Sequence, residues 1–151
     1  MNGAATRSPT RLVTLFCVSE AASMAGFALV PSLLPQLSEQ WSLSATEAGW
    51  LGGIFFLGYI LAVPLLVGWT DRIDARRIYL AGAALSGAAL AGFASFADSL
   101  AAAMFWWWLA GLGLAGTYMP GLKALTDRLP VAAQSRGTAF YTATFGVGAG
   151  L

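Results

Sequence analysis

Four long stretches of this chain carry no basic residue, and that absence decides what it can fold into. Leu12 to Leu37 has no Lys or Arg, and Leu51 to Thr70, Ile78 to Ala97 and Leu100 to Leu122 have no charge of either sign. Each stretch is long enough to cross the roughly 30 Å hydrocarbon core of a bilayer, which takes about 20 helical residues. Strands could satisfy their backbone groups there only by closing into a barrel, and barrel strands alternate apolar with polar side chains. That alternation is missing, so the stretches are read as helices. The composition agrees, because only 10% of residues are charged and 58% are hydrophobic, whereas a soluble domain has roughly 25% charged residues to cover its surface.

The same composition excludes several function classes. A net charge of +1 gives no attraction to nucleic acid. Histidine is absent, which removes the commonest metal ligand and the usual general base. No metal, cofactor or enzymatic activity is expected. The lone cysteine, Cys17, forms no intrachain disulfide and is read as a small apolar residue inside a helix.

The expected fold is an all-α membrane bundle of four complete spans and the start of a fifth. Residues 1–11 form a tail, and 12–151 carry helices at about 12–37, 45–70, 78–97, 100–122 and 138–151. The first, at 26 residues, is about 39 Å long if straight. Pro31 and Pro35 are the expected place for its bend. A cleaved secretory signal would also put Arg7 and Arg11 before an apolar run, but the hydrophobicity continues through Leu34. Ser44 and Glu47 spell a capping box that starts the second helix near residue 45, and Asp98 and Ser99 precede the fourth. The apolar stretch Phe140 to Leu151 makes only about 18 Å of helix and ends in Gly146, Gly148 and Gly150 without a cap. The chain is therefore expected to be the N-terminal part of a longer protein.

Charge sets the orientation. All eight basic residues fall before the first span, between the second and third, or after the fourth. These segments share one side of the membrane, and the opposite segments carry only Glu39, Glu47 and Asp98. The positive-inside rule makes the basic side cytoplasmic, with the N-terminus inside and the protein multi-pass in the inner (plasma) membrane. Small residues at four-residue spacing, Gly49 and Gly53 in the second span and Ala83, Gly87, Ala91 and Ser95 in the third, predict close helix packing. Gly111, Gly113 and Gly116 match the dinucleotide fingerprint G-x-G-x-x-G, but inside an apolar helix the same glycines mean packing.

Between the second and third spans, Val67 to Leu80 reads V-G-W-T-D-R-I-D-A-R-R-I-Y-L. This resembles the cytoplasmic signature of the major facilitator superfamily, G-x-L-x-D-R-x-G-R-R, and occurs where that family carries it. Gly68, Asp71, Arg72, Asp74, Arg76 and Arg77 make up the motif region here. Val67 and Asp74 depart from the pattern by standing where glycines are usual. The resemblance implies that Asp71 bonds to helix ends and basic groups across the cytoplasmic face. It also implies a twelve-helix transporter with its solute site between two six-helix halves. The partners implied are membrane lipid, a small-molecule solute and the missing C-terminal helices. In the fourth span Trp107 stands where the family often has an arginine. Trp106, Trp107 and Trp108 are read as lipid-facing or packing residues near the outer interface, with Trp107 also a candidate for stacking on substrate.

Glu20 is the sharpest candidate for proton or cationic-substrate coupling, and Tyr59, Trp107 and Tyr118 complete the candidate set. A carboxylate near the bilayer centre costs on the order of 2.5–3.5 kcal/mol to insert, and Ser19 and Ser23 give its surroundings a polar surface. A protonated Glu20 hydrogen-bonded to a neighbouring helix is the structural alternative. Three alternatives stand beside the transporter: a four-helix dimeric small multidrug exporter with its essential glutamate in the first helix, a non-transporting membrane fragment, and a membrane-embedded enzyme. The enzyme lacks any convergent nucleophile and base.

Overall fold

The computed structural model describes residues 9–149; Arg7, Gly150 and Leu151 lie outside the described residues. Seven α-helices follow one another: α1 (Pro9–Ala25), a 3-10 turn (Gly26–Ala28), α2 (Leu29–Gln40), α3 (Ala45–Trp69), α4 (Ala75–Phe96), α5 (Leu100–Ala115), α6 (Tyr118–Thr126) and α7 (Val131–Ala149). No strand occurs among the described residues. Four continuous or broken helices are long and apolar enough to cross a membrane, Pro9–Gln40, Ala45–Trp69, Ala75–Phe96 and Leu100–Thr126.

Helix starts follow local chemistry. Ser44 Oγ accepts from Glu47 N at 3.3 Å, and Glu47 Oε2 accepts from Ser44 N at 2.8 Å, closing the capping box. Asp74 caps α4 through Arg76 N at 2.8 Å, and Ser99 caps α5 through Ala102 N at 3.4 Å. The start of α7 at Val131 precedes the expected position because the polar residues Gln134, Ser135 and Arg136 join the helix before its apolar part begins.

Two spans are broken, and neither break falls between Pro31 and Pro35. In the first span the irregular turn is Gly26–Ala28. Pro31 has no N–H to offer the carbonyl of Phe27 four residues back, and its ring crowds that carbonyl, so the distortion lies one turn upstream of the proline. The fourth span repeats the arrangement. Pro120 frees the carbonyl of Gly116, and the helix gives way at Gly116–Thr117, where Thr117 N turns to Leu114 O at 3.0 Å.

α5 is the central helix, packed against α3 on one side and α4 on the other, while α1 pairs with α7. Glycines bring these backbones together. A Cβ on Gly111 would strike the Phe55 carbonyl of α3, and one on Gly113 would come within 2.5 Å of Ser86 N on α4. The fingerprint-like glycines are thus packing residues. The other small-residue expectation is off by one face. Gly49, Gly53 and Gly87 have open space beside them, and the buried face of α4 is Ile78, Gly82, Ser86, Ala89 and Phe93. Composition alone does not fix which small face packs, because small residues occur on both faces of α4.

Candidate functional site

Two side chains, Glu20 of α1 and Tyr141 of α7, meet the main-chain carbonyl of Thr117 at the α5–α6 break. Glu20 lies eleven residues into α1, Tyr141 ten residues into α7, and Thr117 nine residues before the end of α6. All three helix ends from which these are counted lie on the basic side of the chain. At 1.5 Å per residue the three positions lie about 13–17 Å along their helices from those ends, inward of the basic residues Arg11, Lys123 and Arg136.

Glu20, Thr117 and Tyr141 are each 0% exposed. The Tyr141 hydroxyl donates to Glu20 Oε2 at 2.8 Å, and it also lies 3.3 Å from the carbonyl of Thr117 and 3.2 Å from that of Tyr118. A phenol has a single proton to give, so these three acceptors compete. With Glu20 ionised, Tyr141 donates to the carboxylate, a charge-assisted bond of about 1.5–3 kcal/mol. With Glu20 neutral, the carboxyl can itself donate to Tyr141, whose proton then turns to a carbonyl at the α5–α6 break. Tyr141 therefore stays bonded to Glu20 in either protonation state, and its own proton reaches the α5–α6 break only when the carboxyl is neutral.

The helix break is part of the site. Thr117 Oγ1 donates to Leu114 O at 2.9 Å, which satisfies the hydroxyl locally and leaves the Thr117 carbonyl facing Tyr141. Tyr118 stacks on Tyr141 with ring centroids 6.0 Å apart and meets Phe145 at 4.7 Å. Tyr59 of α3 and Tyr79 of α4 both lie in electrostatic range of Glu20. Glu20 Oε1, the Tyr79 hydroxyl and the Trp107 indole N–H are buried without a hydrogen-bond partner among the described residues. Such orphans are uncommon in membrane interiors, where each costs free energy.

The structure thus joins Glu20 and Tyr118 through Tyr141, gives Tyr59 no hydrogen bond to the group among the described residues, and leaves Trp107 apart. Trp107 is 1% exposed and packs on Phe55 at 4.6 Å and Phe93 at 6.3 Å. It does not face lipid. Its neighbours are also packing residues, since Trp106 fills the space over Gly92 and Trp108 that over Gly58. The residues that sequence reasoning missed are Tyr141, Thr117 and Tyr79. Tyr141 is one hydroxyl in a helix of scattered threonines, and its partner is 121 positions away. Only Pro120 gave a local signal, for the break.

On the basic side the motif loop behaves differently from its expectation. Among the described residues the Asp71 side chain makes no hydrogen bond or ion pair, whereas Asp74 takes the bridging role. Its two oxygens accept from Arg128 Nη2 at 3.0 Å each, and Arg128 Nη1 donates to Ala124 O at 3.0 Å, so the start of α4 is tied to the end of α6. Asp74 can do this because it is the N-cap of α4, set against the end of α6, while Asp71 sits in the exposed turn before it. The backbone N–H of Arg76 and then the Arg128 guanidinium hold its carboxyl below the usual carboxylate range. Arg72, Arg76 and Arg77 are exposed, and Gly68 has open space around it. No group of three or more potential metal ligands occurs among the described residues.

Comparison with known proteins places the fold. The niacin transporter NiaP of Acinetobacter baylyi (strain ATCC 33305 / BD413 / ADP1) is 23% identical over 120 residues, which is 80% of this chain. The chain spans only 27% of the length of that relative. No solved structure matches. The Major Facilitator Superfamily matches residues 16–151, nearly the whole chain, and the chain belongs to that family.

Proposed function

We propose that this protein is a proton-coupled secondary transporter of a small solute, with Glu20 carrying the coupling proton. The observation behind this reading is a carboxylate fully withdrawn from the surface inside an apolar span, bonded to Tyr141 through one oxygen and unpartnered at the other. Ionised, such a group costs about 2.5–3.5 kcal/mol to insert. The titratable groups around it are Tyr141 of α7, which bonds it, Tyr79 of α4 and Tyr59 of α3, with Tyr118 of α6 stacked on Tyr141. Tyrosines ordinarily titrate near 10, which leaves Glu20 as the proton-exchanging member of the cluster. Loading it with a proton adds a bond from Tyr141 to the broken fourth span while the Glu20–Tyr141 contact persists, and unloading it returns the Tyr141 proton to the carboxylate. A helix contact that depends on protonation is what coupling a proton to alternating access requires.

Family membership supports transport over catalysis, and the site holds no nucleophile beside a base. A four-helix dimeric exporter loses its footing with the family match and with α7, a fifth helix packed on α1. In the transporter reading the chain is the first part of a longer protein, and further helices of that protein complete the solute site. Lipid surrounds the outer faces. The protein sits in the plasma membrane with its N-terminus cytoplasmic, following its basic residues.

The test is uptake by cells making the protein from its complete open reading frame. Niacin is the first solute to assay, because the relative is a niacin transporter, followed by a panel of small organic solutes. Accumulation that collapses with a protonophore supports the reading. Accumulation that is indifferent to it would exclude proton coupling.

A further inference from the structure

Glu20 Oε2 accepts from Tyr141, while Oε1 is left without a partner. On α4, the Tyr79 hydroxyl is likewise buried without a partner and in electrostatic range of Glu20. The hydroxyls of Ser19 and Ser23 lie beside Tyr79 without closing a hydrogen bond of good geometry. Ser23 Oγ donates to Ser19 O at 2.9 Å, so its oxygen remains able to accept. A groove of about 380 Å³ reaches this point from the basic side, lined by Leu12, Phe16, Ser19, Arg76, Tyr79 and Arg128. It runs from the exposed guanidinium of Arg76 to the ring whose hydroxyl stands near Glu20.

We infer that Tyr79 and Ser19 form the inner end of a proton path between the basic-side groove and Glu20. This rests on the reading of Glu20 as the coupling group. A hydrogen bond from Glu20 to Tyr79, direct or through one water molecule, closes the path and satisfies both orphans. Release toward the basic side is balanced. Glu20 gives its proton toward the Tyr79 oxygen, Tyr79 releases its own hydroxyl proton to water in the groove, directly or through Ser19, which takes that proton and passes its own on to water, and the carboxylate left behind keeps the Tyr141 hydrogen bond. One proton moves, and rotation of the Tyr79 hydroxyl resets the chain.

Time-resolved infrared spectroscopy on the protein from its complete reading frame, reconstituted in lipid, reads this without any solute. A pH jump is followed at the carboxylic acid C=O stretch that disappears in Glu20→Gln. Proton transfer by a positioned group contributes roughly 10²–10⁴-fold in rate, so Tyr79→Phe is expected to slow the jump response at least tenfold without moving its midpoint. Ser19→Val, at an exposed position that tolerates change, should slow it in the same direction and serves if Tyr79→Phe does not fold. An unchanged rate in these variants, or a shifted midpoint with an unchanged rate, would overturn the path while leaving Glu20 as coupling group intact. A spectrum with no Glu20-dependent band at any pH would overturn both.

Discussion

Replacing Gly82 by alanine tests the seam that holds the site in register. A Cβ at Gly82 would lie 2.7 Å from the Gly113 carbonyl oxygen and 2.7 Å from Gly116 Cα. Both are backbone atoms that no rotamer change can move. Carbon atoms pack at about 3.5–4.0 Å, so α4 and the α5–α6 break must part by about 1 Å. Overpacking of this kind costs about 1–3 kcal/mol, and alanine returns about 1 kcal/mol of helix propensity over glycine. Gly87→Ala on the same helix is the control, since a Cβ there meets nothing within 4 Å. The propensity term cancels between the two variants, leaving Gly82→Ala about 1–3 kcal/mol less stable. Moving Gly116 also carries the Thr117 carbonyl, now 3.3 Å from the Tyr141 hydroxyl, beyond the usual hydrogen-bond range. Denaturant titration in mixed micelles measures the difference. Equal stability of the two variants, within about 0.5 kcal/mol, would refute the packing assigned to this face.

The tie between Asp74 and Arg128 should persist across the range in which transport is assayed. Its folded pKa lies below the unfolded one, so its contribution is present above the unfolded value and is lost as pH falls through the folded value, under the usual carboxylate range. Spin labels at Ile73 and Asp127 should report one distance from neutral pH down to mild acid and a broadened one only in strong acid; broadening near neutrality would contradict this. Trp107→Ala should cost about 3–5 kcal/mol, the usual penalty for emptying a buried aromatic site, with Trp107→Phe costing less. A loss under 1 kcal/mol would return Trp107 to the interface role. Reporters fused after Arg11, Arg77 or Arg128 should behave as cytoplasmic, and those after Gln40 or Asp98 as extracytoplasmic, a pattern that a cytoplasmic signal at Gln40 would break.

The spans were legible because membrane insertion depends on local runs of apolar residues, and those runs are written consecutively. Caps were legible for the same reason, as Ser44 with Glu47 illustrates. Kinks were half legible: the prolines mark them, but the distortion appears at the carbonyl four residues upstream. What the chain does not write locally is which face of a helix turns inward. That is why the four-residue spacing points to Ala83, Gly87, Ala91 and Ser95 while Gly82 and Ser86 are the buried ones, and why the sequence leaves Trp107 open between lipid, packing and substrate. Glu20 stood out because a carboxylate in an apolar run is costly wherever it points. Its partner Tyr141 is cheap to insert and so left no mark. Asp74 was read as a departure from a motif, yet the geometry of the α4 N-terminus makes it the residue that bridges to Arg128.

Glu20→Gln, assayed for solute accumulation from pH 5 to 8 in the protein made from its complete reading frame, tests the central claim most directly. Glutamine keeps the size of the side chain and can still bond Tyr141, so insertion and packing are preserved while proton exchange is lost. The account predicts that the variant reaches the membrane in normal amount, fails to accumulate solute against a gradient, and shows a flat pH profile for any residual exchange. Accumulation at wild-type rates with the wild-type pH profile would contradict it and leave Glu20 a structural residue.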